Sequence, residues 1–126
     1  MTFHHVGIAC RDIEAEVQRI TAIHEVVGRS PVVFDQGQNA ELVLLTLSDG
    51  TRLELISGKQ VEGILKKNIT YYHLCFEVDD IRAEIERLEK EHAKLLSPPT
   101  PAPLFDNREV AFLHVSYGII ELLGKK

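Results

Sequence analysis

The 126-residue sequence lacks three features that would each point to a particular class of protein. No apolar run approaches the ~20 residues of a membrane-spanning helix. The amino terminus, MTFHHVGIACRD, has no basic region followed by an apolar one, as a secretory signal would. The formal net charge of −5 argues against the basic surface of a nucleic-acid binder. We therefore expect a cytoplasmic protein with no nucleic-acid and no membrane partner.

Cysteine is also scarce. The two cysteines, Cys10 and Cys75, form neither a C-x-x-C pair nor a disulfide framework. We interpret both as small buried hydrophobic residues in a reducing compartment.

What the sequence does contain is an internal repeat. The stretch FHHVGIACRDIEAEVQRI aligns without a gap with YYHLCFEVDDIRAEIERL, 68 positions later, and His5 falls on His73. In each copy an alternating run predicts a half-buried strand. An aspartate, Asp12 or Asp80, then stands at a helix cap, and apolar residues follow at helical spacing. The repeat predicts two modules that each begin with a strand and a helix.

The second parts of the modules also correspond. ELVLLTLSDGTRLELIS reads as two strands joined by a turn at Ser48 to Gly50, and EVAFLHVSYGIIELLG reads similarly. TRLELI and GIIELL place Glu54 and Glu121 at matching positions. We predict an α+β fold of two βαβββ modules, about 1–60 and about 71–126 of a single domain, whose curved mixed sheet surrounds a metal cleft formed within one chain or across a dimer. The proline-rich stretch 97–109 is predicted to be a loop, either a lid over that cleft or an inert surface loop.

Strand alternation gives one direction to four side chains. His5, Glu54, His73 and Glu121 all fall on the sheet face that the helices do not cover. One such residue alone is usually a solvated or hydrogen-bonded side chain, but two histidines and two glutamates at repeat-equivalent positions favour a shared metal site. The donor set suits one divalent ion, Zn²⁺, Ni²⁺, Co²⁺, Mn²⁺ or Fe²⁺.

Four stretches, HHVGIACRDIE, TRLELI, YYHLCFEVDDI and VAFLHVSYGIIELL, resemble the vicinal oxygen chelate superfamily. This superfamily includes glyoxalase I, methylmalonyl-CoA epimerase, extradiol dioxygenases and antibiotic-resistance proteins. The resemblance covers nearly the whole chain and implies the glyoxalase-like fold. Carried over position by position, it places the metal ligands on His5, Glu54, His73 and Glu121.

Three stretches resemble the epimerase branch most: DQGQNAELVLL, YYHLCFEVDDI and VAFLH. This resemblance implies a divalent-metal-dependent epimerase or isomerase that abstracts a proton next to the carbonyl of an acyl thioester, and it implies a homodimer. Glu41 and Glu121 are the implied acid/base pair. Arg108, with Lys66 or Lys67, is a candidate for a CoA phosphate. The alternatives are a lactoylglutathione lyase (glyoxalase I)-like enzyme and a non-catalytic small-molecule (antibiotic) binding protein of the same fold.

Overall fold

A computed structural model describes residues 1–125 of the chain. Its strands are β1 (Thr2–Ala9), β2 (Val26–Arg29), β3 (Val33–Asp35), β4 (Ala40–Leu47), β5 (Arg52–Gly58), β6 (Tyr71–Glu77), β7 (Lys94–Ala102), β8 (Arg108–Val115) and β9 (Gly118–Leu123). Its α-helices are α1 (Ile13–Ile23), α2 (Glu62–Lys66) and α3 (Ile81–Lys90). Within this described part, no helix has the length and apolar character needed to span a membrane.

The chain divides into two compact units. The N-terminal unit comprises His5–Tyr72, and the C-terminal unit comprises His73 onward together with Met1–His4. Strand, helix and further strands follow one another from β1 to β5, and again from β6 to β9. These element orders confirm the predicted α+β class and its βαβββ modules; the first module has the short extra strand β3.

In the N-terminal unit the strand order is β2-β4-β5-β1, and β3 pairs with the same strand β4. Strand β1 runs parallel to β5, while β4 is antiparallel to β2, β3 and β5. Helix α1 begins after Asp12, whose carboxylate accepts the Ala15 N–H at 2.8 Å, as predicted for a cap. The helix covers one sheet face with a core of Cys10, Ile13, Ile20, Val43, Leu45, Leu47 and Leu55.

The C-terminal unit repeats this arrangement. Its strand order is β6-β9-β8-β7, with β6 parallel to β9 and the other pairs antiparallel. Asp80 caps α3 through the Ala83 N–H at 3.1 Å. The core under this helix contains Val78, Ile81, Ile85, Ala111, Leu113, Ile120 and Leu122. In both units, the predicted apolar face is therefore the face that the helix covers.

The prediction of a loop over residues 97–109 was wrong for its first half. Strand β7 continues through the prolines to Ala102 and pairs with β8. The strand lies at the edge of its unit's sheet, so only one side of it needs hydrogen bonds. Its register shifts between Ser97 and Thr100, where Pro98 and Pro99 interrupt the pairing. This edge strand leaves only the segment around Pro103–Phe105 as a connection to β8.

Burial makes the Cys10 thiol a weaker acid than an exposed thiol. Desolvation, followed by the nearby Glu16 and Asp12 carboxylates, raises the pKa of the Cys10 thiol from 9.0 to about 11. The folded state therefore favours the neutral thiol, and the resulting stability is present below pH 9 and lost as pH rises through 11.

We expect this thiol to give a measurable pH dependence of stability. Between pH 9 and pH 11 the parent should lose about 2 kcal/mol of unfolding free energy more than Cys10→Ala does. Urea unfolding of both proteins across this range measures the difference, in which the titrations of tyrosines and lysines cancel. Equal losses in the two proteins would show that Cys10 ionises as readily folded as unfolded.

Candidate metal-binding residues

In the N-terminal unit, a buried histidine and a buried glutamate meet on neighbouring parallel strands. The β1–β5 register pairs Gly7 with Glu54, so Glu54 shares a sheet face with Gly7 and with His5 two residues earlier. Because Gly7 has no side chain, the Glu54 carboxylate can extend along the strand towards His5. The His5 Nε2 and Glu54 Oε1 atoms are 3.4 Å apart.

The C-terminal unit has the equivalent pair. The β6–β9 register pairs Cys75 with Glu121, and His73 lies two residues before this small side chain. The His73 Nε2 and Glu121 Oε1 atoms are 3.2 Å apart. The ring of Phe112 packs edge-on against the His73 imidazole at 5.3 Å between centroids, which restricts its orientation. The repeat thus extends from the sequence to the geometry of the side chains.

Both pairs have the spacing of two ligands on one ion. Metal bonds of about 2.0–2.2 Å at angles near 90–110° place neighbouring ligand atoms about 3.0–3.4 Å apart. Two imidazoles and two carboxylates are donors that borderline divalent ions accept. All four side chains are at most 4% exposed, and such burial of ionisable groups is typical of functional sites. The residues present therefore fit a divalent metal.

Glu41 lies on the other face of the N-terminal sheet. The β4–β5 register pairs Leu44 with Glu54, and Glu41 is three residues from Leu44, so the two glutamates point to opposite sides. Glu41 is exposed and lines a surface groove with Arg11 and Asp12 at the start of α1. The acid/base role of Glu41 stays a prediction, and an exposed position on the face opposite Glu54 does not favour it.

Asp35 is a buried carboxylate that the sequence did not identify. Among the residues that the structure describes, five polar or charged side chains are buried; Asp35, 5% exposed, is the one outside the two His–Glu pairs. The β3–β4 register pairs Asp35 with Ala40, which shares a face with Leu44 and therefore with Glu54. In the sequence, an aspartate before Gln-Gly is indistinguishable from an ordinary turn residue, so only the strand register gives its direction.

The comparison with known protein families agrees with this geometry. The model of the glyoxalase/bleomycin resistance protein/dioxygenase superfamily matches residues 4–112, most of the chain. The chain belongs to this superfamily. The resemblance predicted from the sequence, and with it the glyoxalase fold, is therefore confirmed.

Among curated members of the superfamily, an ethylmalonyl-CoA/methylmalonyl-CoA epimerase from Cereibacter sphaeroides is 32% identical over 118 residues, which cover 88% of this chain and 86% of the relative. A mitochondrial methylmalonyl-CoA epimerase from Dictyostelium discoideum is 26% identical and covers 88% of this chain and 69% of the relative. The crystal structure of a methylmalonyl-CoA epimerase from Mycobacterium tuberculosis superimposes with a TM-score of 0.85 at 18% identity, covering 99% and 88% of the two chains. The chain is thus similar to enzymes of the glyoxalase superfamily that are epimerases.

The cations predicted to contact a CoA phosphate are not equally available for binding. Arg108 donates to Glu77 Oε2 at 2.6 Å and to the Gly124 carbonyl at 2.8 Å, so its guanidinium is already held by two acceptors. Lys66 and Lys67 are exposed at the end of α2. Of the predicted cations, these two lysines are the ones directed to solvent.

Proposed function

We propose that the chain is a divalent-metal-dependent epimerase of 2-alkylmalonyl-CoA thioesters such as methylmalonyl-CoA. The observation that carries this proposal is the presence, in each unit, of a buried His–Glu pair with the spacing of metal ligands. The names of the curated relatives supply the substrate class.

The proposed ligands are His5, Glu54, His73 and Glu121. A divalent ion bound to them supplies Lewis-acid stabilisation of the negative charge that develops on a carbonyl oxygen during enolisation. The chain itself contributes imidazole nitrogens and carboxylate oxygens, and it excludes water from them by burial.

Epimerisation at C2 requires one group that removes the proton and another that returns a proton to the opposite face. We assign these roles to Asp35 and Glu121, with Asp35 replacing the earlier candidate Glu41. One carboxylate takes the C2 proton, and the electrons of the C–H bond move into the enolate. The other group, protonated, gives its proton to C2, and the two exchange roles in the reverse direction. Asp35 is assigned because it is buried and shares a sheet face with Glu54.

The test is solvent hydrogen exchange at C2. Metal-loaded protein in deuterium oxide should incorporate deuterium at C2 of methylmalonyl-CoA and interconvert the two epimers, as followed by mass spectrometry and NMR. Turnover of a glutathione hemithioacetal without exchange of methylmalonyl-CoA would indicate a lactoylglutathione lyase instead. Binding of the thioester with neither reaction would indicate a non-catalytic binding protein.

A further inference from the structure

The buried carboxylate of Asp35 is held by a single residue, Gln38, in the turn between β3 and β4. The Gln38 backbone N–H donates to Asp35 Oδ1 at 3.2 Å, and the Gln38 side-chain Nε2 donates to Asp35 Oδ2 at 3.1 Å. Each carboxylate oxygen therefore has its own donor. Two such contacts fix the plane of the carboxylate.

The orientation of the Gln38 amide that serves Asp35 is unfavourable for the amide oxygen of Gln38. Its oxygen, Oε1, is buried and has no hydrogen-bond partner among the residues that the structure describes. An unsatisfied buried acceptor is unfavourable and calls for an explanation. Rotating the amide by 180° would bring Oε1 against the Asp35 carboxylate, where two acceptors repel each other. The arrangement thus satisfies Asp35 at the expense of the oxygen of Gln38.

We propose that Gln38 is the positioning residue of Asp35, holding this carboxylate aligned to take a proton from carbon. The inference rests on the proposed epimerase function and deepens it. A group that must accept a proton from C2 needs one fixed direction, since misalignment of the reacting atoms slows transfer steeply. The amide of Gln38 supplies that direction without being able to carry the proton itself.

The test is the variant Gln38→Met, which keeps the shape and the backbone donor but removes Nε2. We expect kcat for C2 exchange to fall about tenfold to a hundredfold, as for a lost hydrogen bond to a charged group, with KM within about twofold. The primary isotope effect with C2-deuterated substrate should increase because proton transfer becomes more strongly rate-limiting. The matched control is Gln36→Met, the same chemical change at an exposed position of the same turn, which should behave like the parent.

Two further variants separate positioning from folding. Gln38→Asn retains a side-chain donor and should recover part of kcat, whereas Gln38→Glu has the same shape but presents an oxygen and should be slower than Gln38→Met. If activity instead follows the unfolding temperature across the series, with an unchanged isotope effect, Gln38 has only a structural role. If the parent is active and Gln38→Met has the same kinetics, the role of Gln38 is overturned while the epimerase function stands. A metal-loaded parent that exchanges no C2 hydrogen overturns the epimerase function, and the role of Gln38 with it.

Discussion

Replacing Asp35 with asparagine is expected to slow C2 hydrogen exchange by about 10²–10⁴-fold, the contribution typical of a positioned acid or base. Asparagine has nearly the same shape but cannot carry a proton at this position. Because Asp35 is not a proposed metal ligand, the variant should bind as much divalent metal as the parent. Exchange rates in deuterium oxide, measured alongside elemental analysis, distinguish a lost proton carrier from a lost metal.

The matched control for this prediction is Glu41→Gln. Both variants convert an acid to its amide, and the two positions lie on neighbouring strands β3 and β4, but they face opposite sides of the sheet. We expect Glu41→Gln to retain the exchange rate of the parent within about twofold, the range of surface changes far from the chemistry. A variant Glu41→Gln without activity, beside an active Asp35→Asn, would restore the role predicted from the sequence and refute the assignment of Asp35.

The second large effect is expected on metal binding. His73→Ala should raise the dissociation constant for the divalent ion by more than about 100-fold, since even residues that merely support metal ligands contribute 10- to 100-fold. In the parent, metal at about 100 times its dissociation constant should stabilise the fold by about 2.7 kcal/mol, which corresponds to a rise of about 10 °C in Tm. His73→Ala should show no such rise. Calorimetric titration and thermal unfolding with and without chelator measure both quantities.

His114→Ala is the appropriate comparison, because His114 is an exposed histidine on β8 in the same unit. Its removal should leave metal affinity unchanged. Elemental analysis of the parent should give one ion per chain, the stoichiometry that the repeat predicts for four shared ligands. Two ions per chain would mean that each His–Glu pair binds separately, and a His73→Ala protein with the affinity of the parent would remove His73 from the ligand set.

The repeat made much of this protein predictable. Strand alternation and helical spacing were enough to predict the apolar faces under α1 and α3, and both aspartate caps form as expected. These features depend on contacts between residues close in the chain or on a simple period, so they can be predicted from the amino-acid sequence. The same period gave the directions of His5 and Glu54, because the strands that carry them have one apolar and one polar face.

The loop prediction was wrong, and the direction of Glu41 could not be predicted, because both depend on the pairing of neighbouring strands. Pro98 and Pro99 are compatible with a strand only because β7 lies at a sheet edge, and no local pattern states that a segment will be an edge. Glu41 belongs to AELVLLTL, in which both faces are apolar, so alternation there gives no direction. The pairing of β4 with β5 shows which face of the sheet carries Glu41.

By itself, the sequence determined the two βαβββ modules and the two histidines and two glutamates at equivalent points within them. Its periodicity encodes which face each strand buries, and the repeat encodes which residues correspond. Only the tertiary structure places Glu41 and Asp35 on opposite faces of the sheet, and only it shows Gln38 donating to both oxygens of the Asp35 carboxylate. The physical reason is that register between strands distant in sequence sets which side chains share a face. A buried acid is recognised only once its surroundings are packed.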